Sequence, residues 1–574
     1  MQNRQPRLVL WLVGLMWVLP FLSFRHQLPI PSFYGELIAA ACGLASMALL
    51  LRKQDWQPFE LPRIALLPLG LVGLVLLQLV FDMIAFPPQA LLGMLYLLWA
   101  MLLVVVGARL RAELGWEKFA VTLAWFLFAG GLLSALVSLI QIEGVQGLLF
   151  VPKRIAQSYG NLGQSNQFAD YMSLALVSLL YLRAKGRVTL PVFVGVAILF
   201  IGMLALSGSR SAWLYLLALS ILAGVQWLAG GQRRLLLHCL VLLPGFFLVQ
   251  QLIPLLPVLS DGGILMPTER LFREVSGVSI RLQIWQLAWH MFMDAPWLGV
   301  GFGQFDWNTF ALAGQVSGVV MEPVEHAHNL ILHLLAEMGL FAGVLAIGML
   351  LAWGRRIAST PRTLEWWWVL ALLAVIGIHS LLEYPLWYTY FLGIASVLLG
   401  AGESRMIALA LGRVGRPAVA AILLLGTVGL VNLAQAYVTL EGWMQRGVQG
   451  LVKDSDLPAM TRDLLRVHKE SLLSPYVELV FATSIEPSTQ LLDEKLQLSE
   501  QAMRFSPIRD VVYRHALLLA IKGDRPAALV QLRRAMRAYP DDISGFTQEL
   551  RGMIAKSPGV YEFLLNEIAL PAKE

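Results

Sequence analysis

Apolar residues run along most of the chain in stretches of about twenty, separated by short polar segments. About twenty apolar residues is the length that an α-helix needs to cross a lipid bilayer. The pattern therefore predicts an all-α polytopic membrane protein with about thirteen transmembrane helices. The predicted spans are 7–24, 33–51, 63–81, 88–107, 117–140, 166–183, 189–206, 211–229, 234–253, 329–352, 366–383, 385–402 and 417–436.

The composition supports the same class. Of 574 residues, 57% are hydrophobic and 14% are charged, and a soluble domain could not cover so much apolar surface with so few charges. The first apolar run has basic flanks but no small-x-small cleavage site, so we expect a retained helix. Cys42 and Cys239 lie inside apolar runs and predict neither a disulfide framework nor a metal cluster.

Lysine and arginine are distributed unevenly between alternate loops. With the N-terminus in the cytoplasm, the cytoplasmic loops before residue 437 carry nineteen of them and the opposite loops carry seven. Since positively charged loops stay on the cytoplasmic side, we expect the N-terminus inside and, after an odd number of spans, the C-terminus outside. The polar loops 141–165, 207–210 and 254–328 then lie on the outer face.

Residues 437–574 contain frequent charges and no further span, so we expect a separate outer-face helical domain after a membrane domain of residues 1–436. The segment 501-QAMRFSP-507 recurs in similar form as 534-RAMRAYP-540, with a period of 33 residues. This period predicts a tetratricopeptide-like (TPR-like) repeat, and a plain helical bundle is the alternative.

Several arginines lie in outer loops, where the charge rule disfavours them. Arg210 lies among small residues in 206-LSGSRSAW-213, and Arg281 begins a segment rich in tryptophan. A guanidinium can bind phosphate oxygens through two parallel hydrogen bonds. Both arginines are therefore candidate anion ligands, Arg270 and Arg273 are weaker ones, and anchoring at the lipid headgroups is the alternative.

Two segments on this face predict local structure rather than chemistry. We expect 281-RLQIWQLAWHMF-292 to form an interfacial helix, and 296-PWLGVGFGQF-305 to turn the chain sharply near the outer surface. The glycine-rich segment lacks the lysine of a nucleotide-binding loop. The residues expected on one face of the interfacial helix are Trp285, Ala288, Trp289 and Phe292.

Side-chain amides are dense in 158-SYGNLGQSNQFADY-171, where the sixth span begins. Amides in this number suit the hydroxyl groups of sugars or a diphosphate, whereas Asn166 alone could serve as a helix cap. The candidate binding residues are Asn161, Gln164, Asn166 and Gln167.

The segment 321-MEPVEHAHNLILHLLAEMG-339 places histidines and carboxylates before the tenth span. Imidazole titrates near neutral pH, so His328 is a candidate general base, with a helix-capping role as the alternative. His326 and Glu325 are candidate binding or assisting residues. His333 is expected to be structural, and Glu337 could orient a histidine from deeper in the helix.

A metal site is not predicted by this segment. His-x-His supplies two ligands, no third ligand stands at a suitable spacing, and there is no HExxH motif. We therefore expect neither a metal nor another cofactor.

These motifs stand in a familiar order: GNxGQxNQxA, SxSRxA, R-x3-W-x2-A with PxLGVGxG, and HxHN-x2-L-x3-AE-x-G. The order resembles the O-antigen ligase/polymerase (WaaL/Wzy-like) superfamily over about residues 155–400. The N-terminal 24-FRHQLPIPSFYGE-36 and the long C-terminal domain are more similar to its PglL-type O-linked oligosaccharyltransferases.

The resemblance implies a metal-independent glycosyltransferase of the Gram-negative inner membrane with its active site on the periplasmic face. It implies en bloc transfer of an oligosaccharide from undecaprenyl diphosphate to serine or threonine of a periplasmic protein such as a pilin. By the same resemblance, His328 activates the acceptor, and Arg210 and Arg281 hold the diphosphate. We expect membrane lipids and no nucleic acid among the partners.

Other functions stay open from the sequence. Within the superfamily, the alternatives are ligation to lipid A–core and polymerisation of O-antigen repeats. A lipid-linked glycan transporter would place charged residues deep in spans of both halves, whereas here the polar residues gather on the outer side. A scaffold without chemistry would leave the histidine and arginine motifs without a purpose.

Overall fold

The computed structural model describes residues 4–50, 59–142, 150–152, 155–255, 266–273, 276–313, 322–410 and 414–570. Within these ranges the regular secondary structure is helical apart from one pair of short strands, β1 (Phe59–Pro62) and β2 (Met406–Leu409). The first fifteen helices are α1 (Gln5–Met16), α2 (Phe33–Leu50), α3 (Leu66–Val80), α4 (Pro87–Leu114), α5 (Trp116–Ile142), α6 (Ser165–Ala184), α7 (Leu190–Leu206), α8 (Ser211–Leu228), α9 (Arg233–Leu252), α10 (Pro267–Arg273), α11 (Ser276–Asp294), α12 (Phe305–Ala311), α13 (Leu330–Ala358), α14 (Leu364–Ser380) and α15 (Thr389–Gly402). The remaining helices are α16 (Gly415–Val448), α17 (Leu457–Glu470), α18 (Ser474–Thr483), α19 (Leu492–Phe505), α20 (Arg509–Lys522), α21 (Arg525–Ala538), α22 (Ile543–Lys556) and α23 (Glu562–Ala569).

Nine helical segments of the described chain are long and apolar enough to cross a membrane, and α7, α14 and α15 are shorter apolar helices. Each of the thirteen predicted runs falls on a helix. The prediction of an all-α polytopic membrane protein is confirmed, while the number thirteen and the orientation stay predictions. The nine segments are Gln5–Leu22, Phe33–Leu50, Arg63–Val80, Pro87–Leu114, Trp116–Ile142, Ser211–Leu228, Arg233–Leu255, Leu330–Ala358 and Gly415–Val448.

The chain divides into two compact units. The first unit comprises Met1–Leu71, Leu95–Ser276 and Leu345–Ala434, and the second comprises Val72–Met94, Gly277–Val344 and Gln435–Glu574. The predicted boundary at residue 436 lies inside α16, and the two-domain division at that point stays a prediction.

Helix α6 is the centre of the first unit, because every residue from Gln167 to Leu182 is buried. Glycines on α5 allow this close packing: a Cβ atom on Gly131 would lie 2.3 Å from the Cβ of Ala175. The opposite side of α6 packs on α14, where Tyr181 donates a hydrogen bond to Glu365 at 3.0 Å. A helix buried on all sides is the one least free to tilt or shift, so α6 is a rigid base for the amides at its N-terminus.

The C-terminal helices α17–α23 belong to the second unit, and the helices from α18 onward share a hydrophobic core. Ala502 and Ala535, which occupy the same position in the repeated sequence, are both fully buried in this core. The helical nature of the segment is confirmed, and its assignment as a TPR-like repeat stays a prediction.

Candidate functional site

Helix α13 is broken one third of the way along its length, and a glycine-rich loop fills the break. Gly339 has φ 73° and ψ −171°, a conformation that a side chain would strain. The break leaves main-chain groups without helical partners. They pair instead with the loop at residues 296–301: Val300 N–H donates to Ala336 O at 2.9 Å, and Leu340 N–H donates to Pro296 O at 2.8 Å.

The loop itself turns at three glycines with positive φ, Gly299, Gly301 and Gly303. A Cβ atom on Gly299 would lie 2.2 Å from the main-chain carbon of Glu337, so only glycine fits against α13 here. The predicted sharp turn over 296–305 is therefore confirmed, and its purpose is close packing on the broken helix.

Two buried side chains form hydrogen bonds with the main chain of this loop. The Glu337 carboxylate accepts hydrogen bonds from the N–H groups of Gly303 and Phe305, both at 3.0 Å. Gln78 of α3 donates to the carbonyl groups of Leu298 and Glu337 and accepts from the N–H of Phe302 at 3.0 Å. Because both side chains are at most 3% exposed, these bonds act away from competing water.

Glu337 also connects the loop to the predicted histidine motif. His333 Nε2 lies 3.3 Å from the Glu337 carboxylate, and its Nδ1 accepts a hydrogen bond from Ala327 N–H at 3.3 Å. Since Nδ1 is an acceptor, the neutral ring carries its proton on Nε2, facing Glu337. His333 is 3% exposed, as expected for a structural residue, and it holds the main chain between His326 and His328.

His328 lies at the end of this supported segment. Its φ is 48°, in the left-handed region that few residues other than glycine adopt. The next residue, Asn329, begins α13 by accepting hydrogen bonds from the N–H groups of Ile331 and Leu332, both at 3.1 Å. Asn329 thus caps α13. A strained backbone held from both sides often marks a functional residue.

The other two motif residues differ in their surroundings. Glu325 is exposed, whereas His326 is half-buried with its ring 5.3 Å from that of His333. The pKa of His326 lies well below its usual range because protein replaces water around the ring, and because His333 and His328 would add like charge. His326 is consequently neutral at physiological pH.

Helix α11, which carries Arg281, contacts the same segment. Trp285 Nε1–H donates to the carbonyl of Ala327 at 3.0 Å, directly between the two motif histidines. Arg281 precedes Trp285 by four residues, which places it on the same helical face about one turn away. The structure therefore brings Arg281 and the histidine motif together in one unit.

The segment predicted as an interfacial helix is helical, and the residues predicted to share one face differ in burial. Ala288 is buried with Ile284, Leu287 and Met291, while Trp289 is 50% exposed. The position of α11 at a membrane interface stays a prediction. The helix buries an aliphatic stripe because its core partners are Phe305, Ala327 and Ala336. Tertiary packing thus decides which side of α11 is buried.

Helix α12, which is not one of the candidate membrane-spanning segments, carries a titratable group. The carboxyl of Asp306 accepts a hydrogen bond from the Ser506 hydroxyl at 3.2 Å and is 8% exposed. Burial, and next the charge of Glu325, raise the pKa of Asp306 to about 7, against a smaller opposing effect of the Ser506 hydroxyl.

This pKa predicts that stability falls as the pH rises. Between about pH 4, the pKa of an unfolded aspartate, and about pH 7, the folded protein holds the proton that the unfolded chain has lost. We expect the free energy of unfolding to fall by a few kcal/mol over this window, and Asp306→Asn to remove that part of the pH dependence. Chemical denaturation followed by circular dichroism at pH 4.5 and 8 measures it. Equal pH dependence in both proteins would contradict the titration of Asp306.

The first unit contains the other predicted cations. Arg210 is half-buried at the N-terminus of α8, directly after the turn at Gly208, whose φ is 68°. Arg270 donates to the Gly208 carbonyl at 3.1 Å, so these two arginines belong to one local cluster. For Arg273 the structure describes the main chain in α10, and its side chain lies outside the described residues.

The amide-rich segment separates into two kinds of residue. Gln164, not Asn166, caps α6, by accepting from the N–H of Gln167 at 2.6 Å. Asn161 is 3% exposed and bonds to the main chain of Leu22 and Val151, which is a structural role.

The remaining amides contact the segment between α14 and α15 and the first turn of α15. Asn166 donates to the Glu383 carboxylate at 2.9 Å, and the Gln167 carbonyl oxygen accepts from the Tyr390 hydroxyl at 3.2 Å. Half-buried Gln164 and Asn166 are the amides with surface left for a ligand, whereas Gln167 is 5% exposed.

Reasoning from the sequence missed Gln78 altogether. The one available signal is a glutamine inside the otherwise apolar segment 66–80. Within the described residues, no group of three His, Cys, Asp or Glu side chains could hold a metal ion. The independence from metals stays a prediction.

Comparison with protein families matches three successive regions of the chain. Residues 159–182 match a family described as protein glycosylation ligase, and residues 195–347 match one described as O-antigen ligase. Residues 367–550 match a family described as the C-terminal part of a virulence factor membrane-bound polymerase. The last match continues from α14 into the C-terminal helices.

Two curated relatives come from Acinetobacter baylyi (strain ATCC 33305 / BD413 / ADP1). A general O-oligosaccharyltransferase is 30% identical over 409 residues, which is 68% of this chain and 69% of the relative. A ComP-specific O-oligosaccharyltransferase is 26% identical over 364 residues, 63% of this chain and 65% of the relative. With this similarity, the chain belongs to the PglL-type O-oligosaccharyltransferases, membrane glycosyltransferases related to the O-antigen ligases.

Proposed function

We propose that the protein transfers a preassembled oligosaccharide en bloc from undecaprenyl diphosphate to serine or threonine of periplasmic or pilin proteins. The observation that carries this proposal is the construction of the histidine motif. His328 stands in a strained conformation on a segment that His333 and Trp285 hold by its main chain. The names of both relatives support a protein acceptor.

The proposed reaction needs a base and a stabilised leaving group. His328 takes the proton of the serine or threonine hydroxyl, and the oxygen forms a bond to the anomeric carbon of the first sugar. The bond from that carbon to the diphosphate oxygen breaks, and its electron pair leaves with undecaprenyl diphosphate. No nucleotide sugar takes part.

Negative charge grows on the diphosphate as this bond breaks. Arg281 and Arg210 are the cations proposed to neutralise it, because a guanidinium stays charged and presents several N–H donors to phosphate oxygens. Arg270 shares the local cluster of Arg210 and assists it. The exposed Glu325, with His326, is proposed to contact the acceptor.

The amides are proposed to contact the donor sugars, with Gln164 and Asn166 as the principal residues. Asn161 and Gln167 are proposed to support these two residues without contacting the sugars, since their polar groups already bond to protein atoms. Membrane lipids surround the helices, and the site faces the periplasm from the inner membrane of a Gram-negative cell. The polyprenyl tail of the donor lies among apolar helices.

The intact mass of an acceptor protein tests the proposal. A pilin is co-expressed with the protein in cells that make a known undecaprenyl-linked glycan, and a strain lacking the protein is the control. We expect a mass increase equal to one glycan only when the protein is present. The same glycan on lipid A–core, or as longer polymers, would replace the proposal by one of the sibling activities that the matched families carry in their names.

A positioning role is proposed for Glu337, and Glu337→Gln is expected to lower kcat about ten- to a hundredfold. The amide keeps the size but loses one acceptor, so either Gly303 N–H or Phe305 N–H loses its charged partner. Such a loss costs about 1.5–3 kcal/mol, and 1.4 kcal/mol is a factor of ten in rate.

Initial rates of transfer at several acceptor concentrations measure the effect of Glu337→Gln. Glu365→Gln is the matched control, because it alters a buried glutamate of the first unit, whereas Glu337 belongs to the second. An unchanged kcat in Glu337→Gln, or an equal loss in Glu365→Gln, would contradict the positioning role.

A further inference from the structure

Helix α12 has two faces that contact different parts of the second unit. Phe305 and Phe310 are both fully buried, yet they belong to two separate hydrophobic cores. At 100° per residue, five positions place these side chains about 140° apart around the helix axis. A seven-residue helix that is buried on both sides is a link between its two neighbours.

The Phe305 face of α12 contacts the residues that support the histidine motif. The Phe305 N–H donates to the Glu337 carboxylate at 3.0 Å, and the Phe305 ring lies 5.0 Å from the ring of His333. Phe305 also packs with Ala327, the residue between the two motif histidines, and with α11, which carries Arg281. A shift of Phe305 would thus disturb Glu337, His333 and Ala327 together.

The Phe310 face of α12 packs against the C-terminal helical domain. Phe310 lies in the same core as Ala502 and Met503 of α19 and Leu532 and Ala535 of α21. Next to it, Asp306 accepts a hydrogen bond from the Ser506 hydroxyl, just after α19. The core of the C-terminal domain is therefore completed by a residue from the segment that supports the histidines.

A further hydrogen bond connects α12 to the histidine motif from its N-terminal side. The N–H of Val324, two residues before His326, donates to the Thr309 hydroxyl at 3.3 Å. Thr309 is 4% exposed, so this bond is also protected from water. The segment 324–328 is consequently attached to α12 at Thr309 and, through His333, near Phe305.

We infer that Phe310 and Asp306 are positioning residues, through which the C-terminal helical domain holds α12 and thereby the geometry of the histidine motif. The inference rests on the proposed function for its effect on transfer, but the mechanical link can be measured without it. The domain is then part of the catalytic support, in addition to any contact with the acceptor.

Hydrogen–deuterium exchange of the full chain in detergent tests the link directly. We expect Phe310→Ala to increase the exchange rates of peptides covering 301–306 and 325–329 about tenfold, because the N–H groups of Gly303, Phe305 and Ala327 lose rigid partners. Phe310→Leu should restore most of the protection. Leu550→Ala, which truncates a buried residue of α22 in the same C-terminal core, is the control and should leave both peptides unchanged.

Slow exchange of both peptides in Phe310→Ala would overturn the inference, and so would faster exchange in Leu550→Ala of the same size. If Phe310→Ala does not accumulate, Asp306→Asn with Ser506→Ala tests the same face with smaller changes in volume. The same two peptides then decide the outcome.

Transfer kinetics separate positioning from capture of the acceptor. With the whole acceptor protein and with a short serine peptide from its modified segment, we expect Phe310→Ala to lower kcat at least tenfold. A rise in KM for the whole protein alone, with kcat unchanged, would show that the domain only captures the acceptor. If the wild type transfers to neither acceptor, the proposed function fails, while the exchange rates still decide whether α12 forms the link.

Discussion

Replacing His328 by alanine is expected to lower kcat for oligosaccharide transfer by about a hundredfold to ten-thousandfold. General-base catalysis contributes about 10²–10⁴ in rate, and the acceptor hydroxyl has no comparable ionisation of its own at neutral pH. The side chain is half-buried and packs little of the core, so the variant should reach the membrane in normal amount. Transfer in membrane vesicles, measured by the mass of the acceptor protein, tests this.

His290→Ala is the matched control for this variant. His290 is an exposed histidine of α11 in the same unit, and its loss should leave the transfer rate within about twofold. A wild-type rate in His328→Ala would end the assignment of His328 as the base. An equal loss in His290→Ala would point to a general disturbance of the unit instead.

Replacing Arg210 by lysine is expected to lower transfer about a hundredfold although the positive charge is kept. An ammonium is a single point of charge and cannot form the two parallel hydrogen bonds of a guanidinium with phosphate oxygens. If those bonds strengthen as charge develops on the diphosphate, most of their loss should appear in kcat. Rates at several concentrations of lipid-linked donor separate kcat from KM.

Arg187→Lys is the control for Arg210→Lys. Arg187 follows the cytoplasmic end predicted for α6, where it lies 3.8 Å from Glu117 and is 55% exposed. Exposed ion pairs contribute little to stability, so we expect Arg187→Lys to transfer at the normal rate. A normal rate in Arg210→Lys as well would favour anchoring at the lipid headgroups over binding of the diphosphate.

The backbone conformation of His328 depends on the residues that surround it. A residue other than glycine in the left-handed region costs on the order of 1–3 kcal/mol, and it persists only where the surroundings hold it. Here Asn329 fixes the following helix, and His333 fixes the preceding main chain. Loss of either support should allow the histidine to relax before any reacting group is removed.

The sequence by itself determined the class of the molecule and the chemistry that it can carry. Membrane spans are readable because a bilayer imposes one length and one polarity on every helix that crosses it. All thirteen predicted runs fall on helices for that reason. His328, Arg210 and Arg281 stood out as candidates because polar groups are rare in such a chain, and the glycines of 296–305 predicted their turn.

Only the tertiary structure decided how these residues are supported, because the supports that join separate helices connect positions that are far apart in the chain. Gln78 bonds to a main chain more than two hundred residues later, and no local pattern marks that pairing. The fully buried Phe310 joins the core of helices that begin more than 150 residues beyond it. Apolar periodicity reports that a face is buried but not which partner buries it, and that choice is made by packing. The candidate reactive residues of this protein are thus recognisable from local sequence motifs, while the rigidity of the segments that carry them depends on long-range contacts.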